Sequence, residues 1–267
     1  MEDRTACPPV WQGAPAADPA GTPLDRGRKD PDLKPQSLHP WNVPIDQARG
    51  IQEELAQRVD LENTVGDVRT VAAVDIAMES KTLGHAAAVL FAFPGFDVLE
   101  TAVVRGPIKF PYVPGLLSFR EGPLLIDALL RLRREPDVIF FDGQGVAHPR
   151  RLGVASHLGL VLDKATVGLA KSRLVGTFKE PGPDEGAASD LVFEGRLVGY
   201  AVRSRVNAEP IFVSPGHGID YKTALRLATA SFDGQRVPRP IRVADGLSKA
   251  AKRGKAKEFI AALKKGK

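Results

Sequence analysis

The sequence predicts a mixed α/β fold in which one sheet, partly antiparallel and partly parallel, lies between layers of helices. Three strand-like segments follow one another with short turns between residues 68 and 106, which is typical of an antiparallel meander. Helical and strand-like segments alternate after it, as they do where strands pair in parallel. With 267 residues, 43% of them hydrophobic, the chain is long enough to bury a sizeable core.

The N-terminal segment lacks the composition of a core. Residues 1–40 hold eight of the 22 prolines, together with alanine, glycine and aspartate. So little apolar surface cannot offset the entropy lost on ordering, and we expect this segment to be disordered. A first helix is predicted after it, from apolar residues spaced as one helical face: Ile45, Ala48, Ile51, Leu55 and Val59.

Strands dominate the next part of the chain. VRTVAAVDIAM, HAAAVLFAFPG and FDVLETAVVRG supply the meander, with turns at Gly84 and at Pro94-Gly95. LSFREGPLLIDALLRLRRE has helical periodicity, and Pro136 ends that helix. DVIFFDG is apolar up to its acid, which is typical of a buried central strand.

The remaining elements complete a known order. We expect a helix around HLGLVLD, a strand at ATVGLA, two strands at LVFEGRLVGYAVRS and PIFVSPG, and a helix at DYKTALRLATAS capped by Asp220. Three strands, a helix, a parallel strand and then alternating elements are in the order of the ribonuclease H-like fold. We therefore expect one such domain over residues 41–244, with residues 245–267 as a basic tail.

Positive charge is concentrated in that tail. The net charge is +5, and residues 245–267 carry eight basic and two acidic side chains. A basic tail can bind nucleic-acid phosphates or an acidic membrane surface, or it can act as a solvated helix that aids solubility. Charge alone does not choose among these.

Several protein classes are excluded by what the chain lacks. Its single cysteine, Cys7, excludes an internal disulfide framework and a cysteine-based zinc cluster. No apolar run reaches the ~18 residues of a membrane-spanning helix, so we expect a cytoplasmic protein. His148 and His157 are too far apart for one helical face, and no HExxH, GxSxG, Walker or GxGxxG motif is present.

Acids within apolar strands are the first sign of chemistry. Asp75 lies in VAAVDIAM and Asp142 ends VIFFD, where an ionised carboxylate is costly unless it is paired or binds a metal. Glu121, expected in the first turn of the helix after the meander, is a third acid that this helix can aim at the other two. Each acid alone has a structural explanation, as a turn cap, an arginine partner or a favourable charge at a helix terminus. Three converging carboxylates suit Mg²⁺ or Mn²⁺ and phosphoryl transfer.

Three further residues are candidates with structural alternatives. Lys171 ends an apolar strand, and His217 lies among glycines before a helix; either can be purely structural. In PYVPG, two prolines stiffen a turn that carries Tyr112 at its tip, and Gly115 closes that turn. Such a turn can wedge between bases, or its tyrosine can cover the sheet edge.

Five separated segments resemble one family. PYVPGLLSFREGP, IFFDGQGVAHPRRLGVASHLG, GLAKSRLVG and VSPGHGI follow the VDIAM strand in the order and spacing of the endonuclease V family of DNA repair nucleases. The similarity covers roughly residues 45–235. It implies a ribonuclease H-like nuclease domain that uses Mg²⁺, with Mn²⁺ as a substitute. The expected activity is nicking of DNA at the second phosphodiester bond 3′ to hypoxanthine, leaving 3′-hydroxyl and 5′-phosphate ends.

The resemblance also implies roles for individual residues. Asp75 and Asp142 fall on metal-binding aspartates, and Glu121 falls on the catalytic glutamate, which we count as a third metal ligand. Lys171 and His217 fall on the active-site lysine and histidine.

The substrate-binding positions follow from the same resemblance. Tyr112 falls on the tip of the strand-separating wedge, whose turn Gly115 closes, while Gly145 and His148 border the pocket for the modified base. The chain departs from the family where Ile-Ala-Met follows Asp75 and in both terminal segments.

Two alternative functions remain open. An inosine-specific ribonuclease can use the same chemistry, because the choice between DNA and RNA depends on contacts near the 2′-hydroxyl. A non-catalytic binder of modified nucleic acid does not need three clustered acids. The expected partner is DNA containing deaminated bases, with inosine-containing RNA as the alternative; no membrane partner is expected, and the protein is expected to be a monomer.

Overall fold

The computed structural model describes residues 33–265. Within that range the chain forms eight strands and six helices. The elements follow one another as α1 (Ile45–Ala56), β1 (Thr70–Ser80), β2 (Leu83–Ala92), β3 (Val98–Pro107), α2 (Leu117–Leu129), β4 (Val138–Phe141), α3 (Val154–Leu162), β5 (Ala165–Ala170), β6 (Ala188–Phe193), β7 (Arg196–Val202), β8 (Ile211–Pro215), α4 (Tyr221–Thr229), α5 (Arg239–Lys252) and α6 (Ala256–Lys265).

All eight described strands form one sheet in the order β3-β2-β1-β4-β5-β8-β7-β6. The pairs β3-β2 and β2-β1 are antiparallel, β1-β4 and β4-β5 are parallel, and the pairs from β5 to β6 are antiparallel again. The predicted meander and the predicted buried strand β4 are therefore confirmed. Mixed pairing with helices on both faces is the expected ribonuclease H-like arrangement.

Alternation along β1 separates two cores. Ala72 and Val74 pack with α2 and α3 on one face of the sheet, whereas Val71 and Ala73 pack with α4 and α5 on the other. This alternation follows from the two-residue period of a strand. Burial on both faces explains why β1 and β4 are almost continuously apolar.

One segment read as a single strand is a hairpin. In LVFEGRLVGYAVRS the chain reverses between β6 and β7 at Glu194 and Gly195, which both have positive φ, 51° and 72°. Two consecutive residues with positive φ are typical of the two-residue turns that match the twist of paired strands. Asp220 caps α4 as predicted, accepting a hydrogen bond from the Thr223 amide.

Both expected domain boundaries need correction within the described residues. Residues 1–32 of the predicted N-terminal tail lie outside the described range, but residues 33–40 pack on the domain. Leu33 is buried, and the Gln36 amide donates to the Val161 carbonyl. The boundary at residue 244 falls inside α5, which continues to Lys252 because its apolar side packs on β1 and β2. Among residues 33–265, none of the helices combines the length and apolar composition that crossing a membrane requires.

Candidate active site

Strand register brings Asp75 and Asp142 together. Val74 on β1 pairs with Phe141 on β4 in the parallel ladder, and each acid is the next residue along its strand. The two carboxylates therefore lie on neighbouring strands, which are roughly 4.8 Å apart in a sheet. Both acids line a cavity of 460 Å³ at this end of the sheet.

Glu121 reaches the same cavity from α2. It is the fifth residue of that helix, so it lies in the second turn and not in the first turn as expected. Its charge is therefore not explained by the helix terminus, whose field acts mainly on the first turn. The side chain is half-buried at the cavity wall, where it interacts with the charges of Asp75 and Asp142.

Burial and mutual repulsion disfavour ionised carboxyls here. Burial raises the pKa of Asp75 to about 6, the charge of Asp142 adds to the increase, and a hydrogen bond from Ser248 opposes it. Burial raises the pKa of Glu121 to about 8, with a further contribution from Asp75. A cation in the cavity would remove this penalty, since it stabilises the ionised forms.

The donor set fits a hard divalent cation by its chemistry. Carboxylate oxygens are the ligands that Mg²⁺ and Mn²⁺ prefer, and Asp75, Glu121 and Asp142 supply them around one cavity. Within residues 33–265, however, no three His, Cys, Asp or Glu side chains are already arranged to enclose an ion. Asp142 Oδ2 instead accepts from Lys171 Nζ at 2.5 Å, and Asp75 Oδ2 accepts from Ser248 Oγ at 2.7 Å.

Lys171 is held at the cavity by its backbone and its side chain. It follows the last residue of β5, and its carbonyl accepts from Arg236 Nη2 at 2.8 Å. The next carbonyl, of Ser172, accepts from Gln144 Nε2 at 2.9 Å. The pKa of Lys171 is raised: burial alone would lower it, but the ion pair with Asp142 outweighs burial. The lysine thus presents a stable positive charge beside the carboxylates.

The PYVPG turn forms one rim of the cavity. Tyr112 is 71% exposed, more than any other large hydrophobic side chain among residues 33–265. Gly115 has φ of +77°, a left-handed conformation that glycine adopts without strain. Its carbonyl accepts from His148 Nε2 at 3.0 Å and from Arg150 Nη2 at 2.9 Å. These two bonds fix the base of the turn.

His148 lines the cavity as a neutral ring. Burial, with a further contribution from the charge of Arg150, lowers its pKa to about 4. The Arg150 amide donates to Nδ1, so Nε2 carries the proton given to Gly115. Gly145 lies behind the cavity wall and does not line it: its amide donates to Ser214 Oγ, and a Cβ there would lie 2.0 Å from the Pro215 carbonyl oxygen.

His217 does not lie with these residues, in contrast to the expectation. Its backbone pairs with Thr166, the second residue of β5, whereas Lys171 follows the last residue. Five residues of strand separate the two levels by about 16 Å. His217 Nδ1 accepts from the Asp60 amide at 3.2 Å, so the ring anchors the loop after α1. A histidine among glycines carries no sequence signal that tells this role from a catalytic one.

Two residues of α5 join the site without having been predicted. Ser248 is fully buried and hydrogen bonds to Asp75. Asp245 lies near enough that its charge acts on both Asp75 and Lys171. Both lie in residues 245–267, which the sequence suggested were a basic tail outside the domain. The apolar spacing of Ile241, Ala244 and Leu247, all buried, was the available signal that this segment packs on the sheet.

Carboxylates on adjacent strands of a ribonuclease H-like sheet, with a lysine beside them and an open cavity in front, define the class of protein as a nuclease. Comparison with known protein families identifies the family of nucleases to which the chain belongs. A family model described as Endonuclease V matches residues 53–246. The chain belongs to the endonuclease V family.

Relatives support the same assignment. Endonuclease V of Methanothrix thermoacetophila is 46% identical over 216 residues, which cover 81% of this chain and 96% of that protein. The crystal structure of Endonuclease V from Streptomyces avermitilis is similar with a TM-score of 0.76 and 38% identity, covering 80% of this chain and 95% of that one. The structure of Endonuclease V from Ciona intestinalis is similar with a TM-score of 0.70 and 25% identity, covering 79% of this chain and 98% of that one. That structure contains a 24mer DNA with an inosine followed by a ribo-adenosine.

Proposed function

We propose that this nuclease is a divalent-metal-dependent endonuclease that nicks DNA at the second phosphodiester bond 3′ to a deaminated base such as deoxyinosine. The observation that carries the proposal is the convergence of Asp75, Glu121 and Asp142 on one cavity in a member of the endonuclease V family. The complex of the Ciona relative with inosine-containing DNA supports the choice of substrate.

The three carboxylates are the proposed metal ligands. Asp75, Glu121 and Asp142 would hold Mg²⁺, with Mn²⁺ as a substitute. The chemistry that a bound Mg²⁺ supplies at such a site is activation of a water and stabilisation of the leaving oxygen. In the hydrolysis, water oxygen bonds to phosphorus, the bond from phosphorus to the 3′ oxygen breaks, and that oxygen receives a proton. The products are a 3′-hydroxyl and a 5′-phosphate.

Lys171 stabilises negative charge in this proposal. Its ammonium group lies at the cavity and keeps its proton because Asp142 faces it at 2.5 Å. A fixed positive charge beside a phosphate stabilises the additional charge that develops in the transition state. His217 has no part in the proposed reaction, because it lies at the other end of β5.

The rim residues have two proposed tasks: some contact the flipped base, and Tyr112 fills the position in the duplex that the base has left. His148 and Gly115 lie on the cavity wall, and their mutual hydrogen bond fixes backbone groups that can read the base. Gly145 supports that wall from behind, where only glycine fits. Tyr112, exposed at the tip of a stiff turn, is placed to stack in the vacated position, where unstacking costs a few kcal/mol.

A nicking assay tests the proposal. The full chain is incubated with a labelled duplex carrying one deoxyinosine, with Mg²⁺ or with a chelator, and the product is mapped at nucleotide resolution. Cleavage is expected only with the metal and at the second bond 3′ to the lesion. Asp142→Asn, which keeps the size of the side chain but loses its charge, is expected to cut more than 100-fold more slowly, about 2.7 kcal/mol of barrier.

Matched substrates separate the alternatives. Faster cleavage of inosine-containing RNA than of the matched DNA would identify a ribonuclease and contradict the proposal. Tight binding to deoxyinosine DNA without cleavage in Mg²⁺ or Mn²⁺ would identify a non-catalytic binder. An Asp142→Asn variant retaining more than about a tenth of the activity would remove Asp142 from the metal site.

A further inference from the structure

The C-terminal end of α5 and α6 form a positively charged surface outside the family match, which ends at residue 246. We call it the basic surface, and it consists of seven exposed side chains: Lys249, Lys252, Arg253, Lys255, Lys257, Lys264 and Lys265. Between residues 249 and 265 the only acidic side chain is Glu258. Among the described residues, Lys249 pairs with Asp245, and no acidic partner is found for the other six.

This surface has a fixed position on the domain. The Phe259 ring packs against Gly246, where a Cβ would lie 2.6 Å from the ring. Ala256 and Ile260 pack at the margin of the core beneath α5, and α6 also contacts β3. The charged side chains are therefore presented by a docked helix pair and not by a loose tail, so their binding to a ligand loses less conformational entropy.

The basic surface begins next to the proposed reaction site. Ser248 Oγ lies 2.7 Å from Asp75 Oδ2, and Lys252 is one helical turn further along α5. The four residues from Ser248 to Lys252 rise about 6 Å along the helix axis. Lys252 and Arg253 therefore lie within about 8 Å, along the helix axis, of the residue that contacts Asp75, which brings them into range of a strand bound at the carboxylates.

We propose that the basic surface binds the phosphodiester backbone of duplex DNA beside the cleft and so extends the footprint of the enzyme. The proposal rests on DNA as the substrate of the proposed function. An anionic membrane is less well matched, because Ala256, Phe259 and Ile260 of α6 pack against the core of the domain and not outward, whereas insertion needs an apolar face turned to the lipid.

Backbone contacts predict a specific signature. They hold the protein on DNA without reading bases, so their loss weakens binding to modified and unmodified duplexes equally. Each lost phosphate contact lowers the slope of log affinity against log salt by about 0.9. Cleavage by enzyme already saturated with substrate is unaffected, because the reacting groups are intact.

The test compares two full-length variants with equal loss of charge. In the first, four residues of the basic surface become glutamine: Lys252, Arg253, Lys255 and Lys257. In the matched control, four exposed cations outside α5 and α6 become glutamine: Lys34, Arg58, Arg196 and Lys222. Affinity for a 24-base-pair duplex, with and without deoxyinosine, is measured in a chelator from 50 to 200 mM salt, together with the melting temperature and the single-turnover rate in Mg²⁺.

The first variant is expected to lose between about 1 and 4 from the salt slope on both duplexes, with its melting temperature and single-turnover rate unchanged. The control is expected to keep the wild-type slope. Equal slopes in the two variants would overturn the proposal. It would also be overturned if the first variant, in a parallel measurement, lost binding to anionic phospholipid vesicles but kept its affinity for DNA. Because the slope is measured on unmodified DNA without cleavage, failure of nicking would contradict the proposed function alone.

Discussion

Asp75 is held from two directions, by its own strand and by a helix that follows it by more than 160 residues. Register places its carboxylate beside Asp142, and the Ser248 hydroxyl then fixes one of its oxygens. A hydrogen bond to a charged group contributes about 1.5–3 kcal/mol. That contribution opposes the burial that raises the pKa of Asp75 to about 6, so Ser248 helps to keep Asp75 ionised, as the proposed metal site requires.

Replacing Ser248 tests this support. Ser248→Ala is expected to raise the Mg²⁺ concentration for half-maximal nicking about tenfold, equivalent to about 1.4 kcal/mol, and Ser248→Thr is expected to restore most of it. Ser156→Ala is the matched control, since Ser156 is equally buried and its hydroxyl has no partner among the described residues. An equal effect of both alanine variants would show that only packing is disturbed.

Tyr112 offers a second test with one residue. Its exposed ring has no structural task that would justify 71% exposure, and we expect it to fill the space of a flipped base. Tyr112→Ala should slow cleavage of a paired duplex at least tenfold more than cleavage of single-stranded deoxyinosine DNA, which is already unstacked. Tyr112→Phe should behave as wild type on both. Equal losses on the two substrates would indicate a general binding contact.

Some of these residues are visible in the sequence and others are not. Asp75 and Asp142 stand out because each interrupts an apolar strand, and that pattern is local. Ser248 and Asp245 lie among other polar residues in the sequence, so no local pattern marks them. Only the packing of α5 on the sheet brings them to the site. For His217 the sequence misleads in the other direction. Its glycine-rich surroundings suggest an open site, but its ring accepts a hydrogen bond from the Asp60 amide and so has a structural role.

At the scale of elements, the central sheet was predictable and its margins were not. The meander and β4 have strong periodicity or unbroken apolar runs, which short-range patterns reveal. The turn at Glu194 and Gly195 was missed because only the glycine is a typical turn residue. The C-terminal boundary was misplaced because the lysines of residues 249–267 hide the apolar spacing of α5, which buries one side and exposes the other.

The contact between α5 and α6 predicts that one substitution, Gly246→Ala, changes the stability of the protein differently with and without the Phe259 ring. In a free helix, alanine is about 1 kcal/mol more stable than glycine. Gly246→Ala should lose that gain in the wild-type chain, because the new methyl group meets the Phe259 ring. In a Phe259→Ala background the same change should stabilise the protein by about 1 kcal/mol. Denaturant unfolding of the four proteins measures the coupling, and additive effects would show that α6 does not dock on Gly246.

At the scale of the whole molecule, the sheet divides structural and chemical tasks between its two ends. The carboxylates, Lys171 and the rim turn lie where β4 and β5 end and where β1 stops pairing with β4, whereas His217 and the loop anchored by Asp60 lie where β5 begins. Ligands of open α/β sheets bind beyond the carboxyl ends of the parallel strands. A change at the other end should therefore affect stability and leave catalysis intact.

His217→Asn tests that division through the pH dependence of stability. Burial lowers the pKa of His217, with Arg58 adding to the effect and Asp163 and Asp60 opposing it, so the folded chain binds fewer protons than the unfolded chain below pH 6.5. The free energy of unfolding contributed by this site is therefore lost as the pH falls below 6.5. Asparagine keeps an acceptor for the Asp60 amide but does not titrate. The fall in unfolding free energy between pH 7 and pH 5 should be smaller in the variant, while the carboxyls, common to both proteins, cancel in the difference. Nicking at pH 7.5 should be unchanged; a tenfold loss of the single-turnover rate with stability intact would return His217 to the reaction.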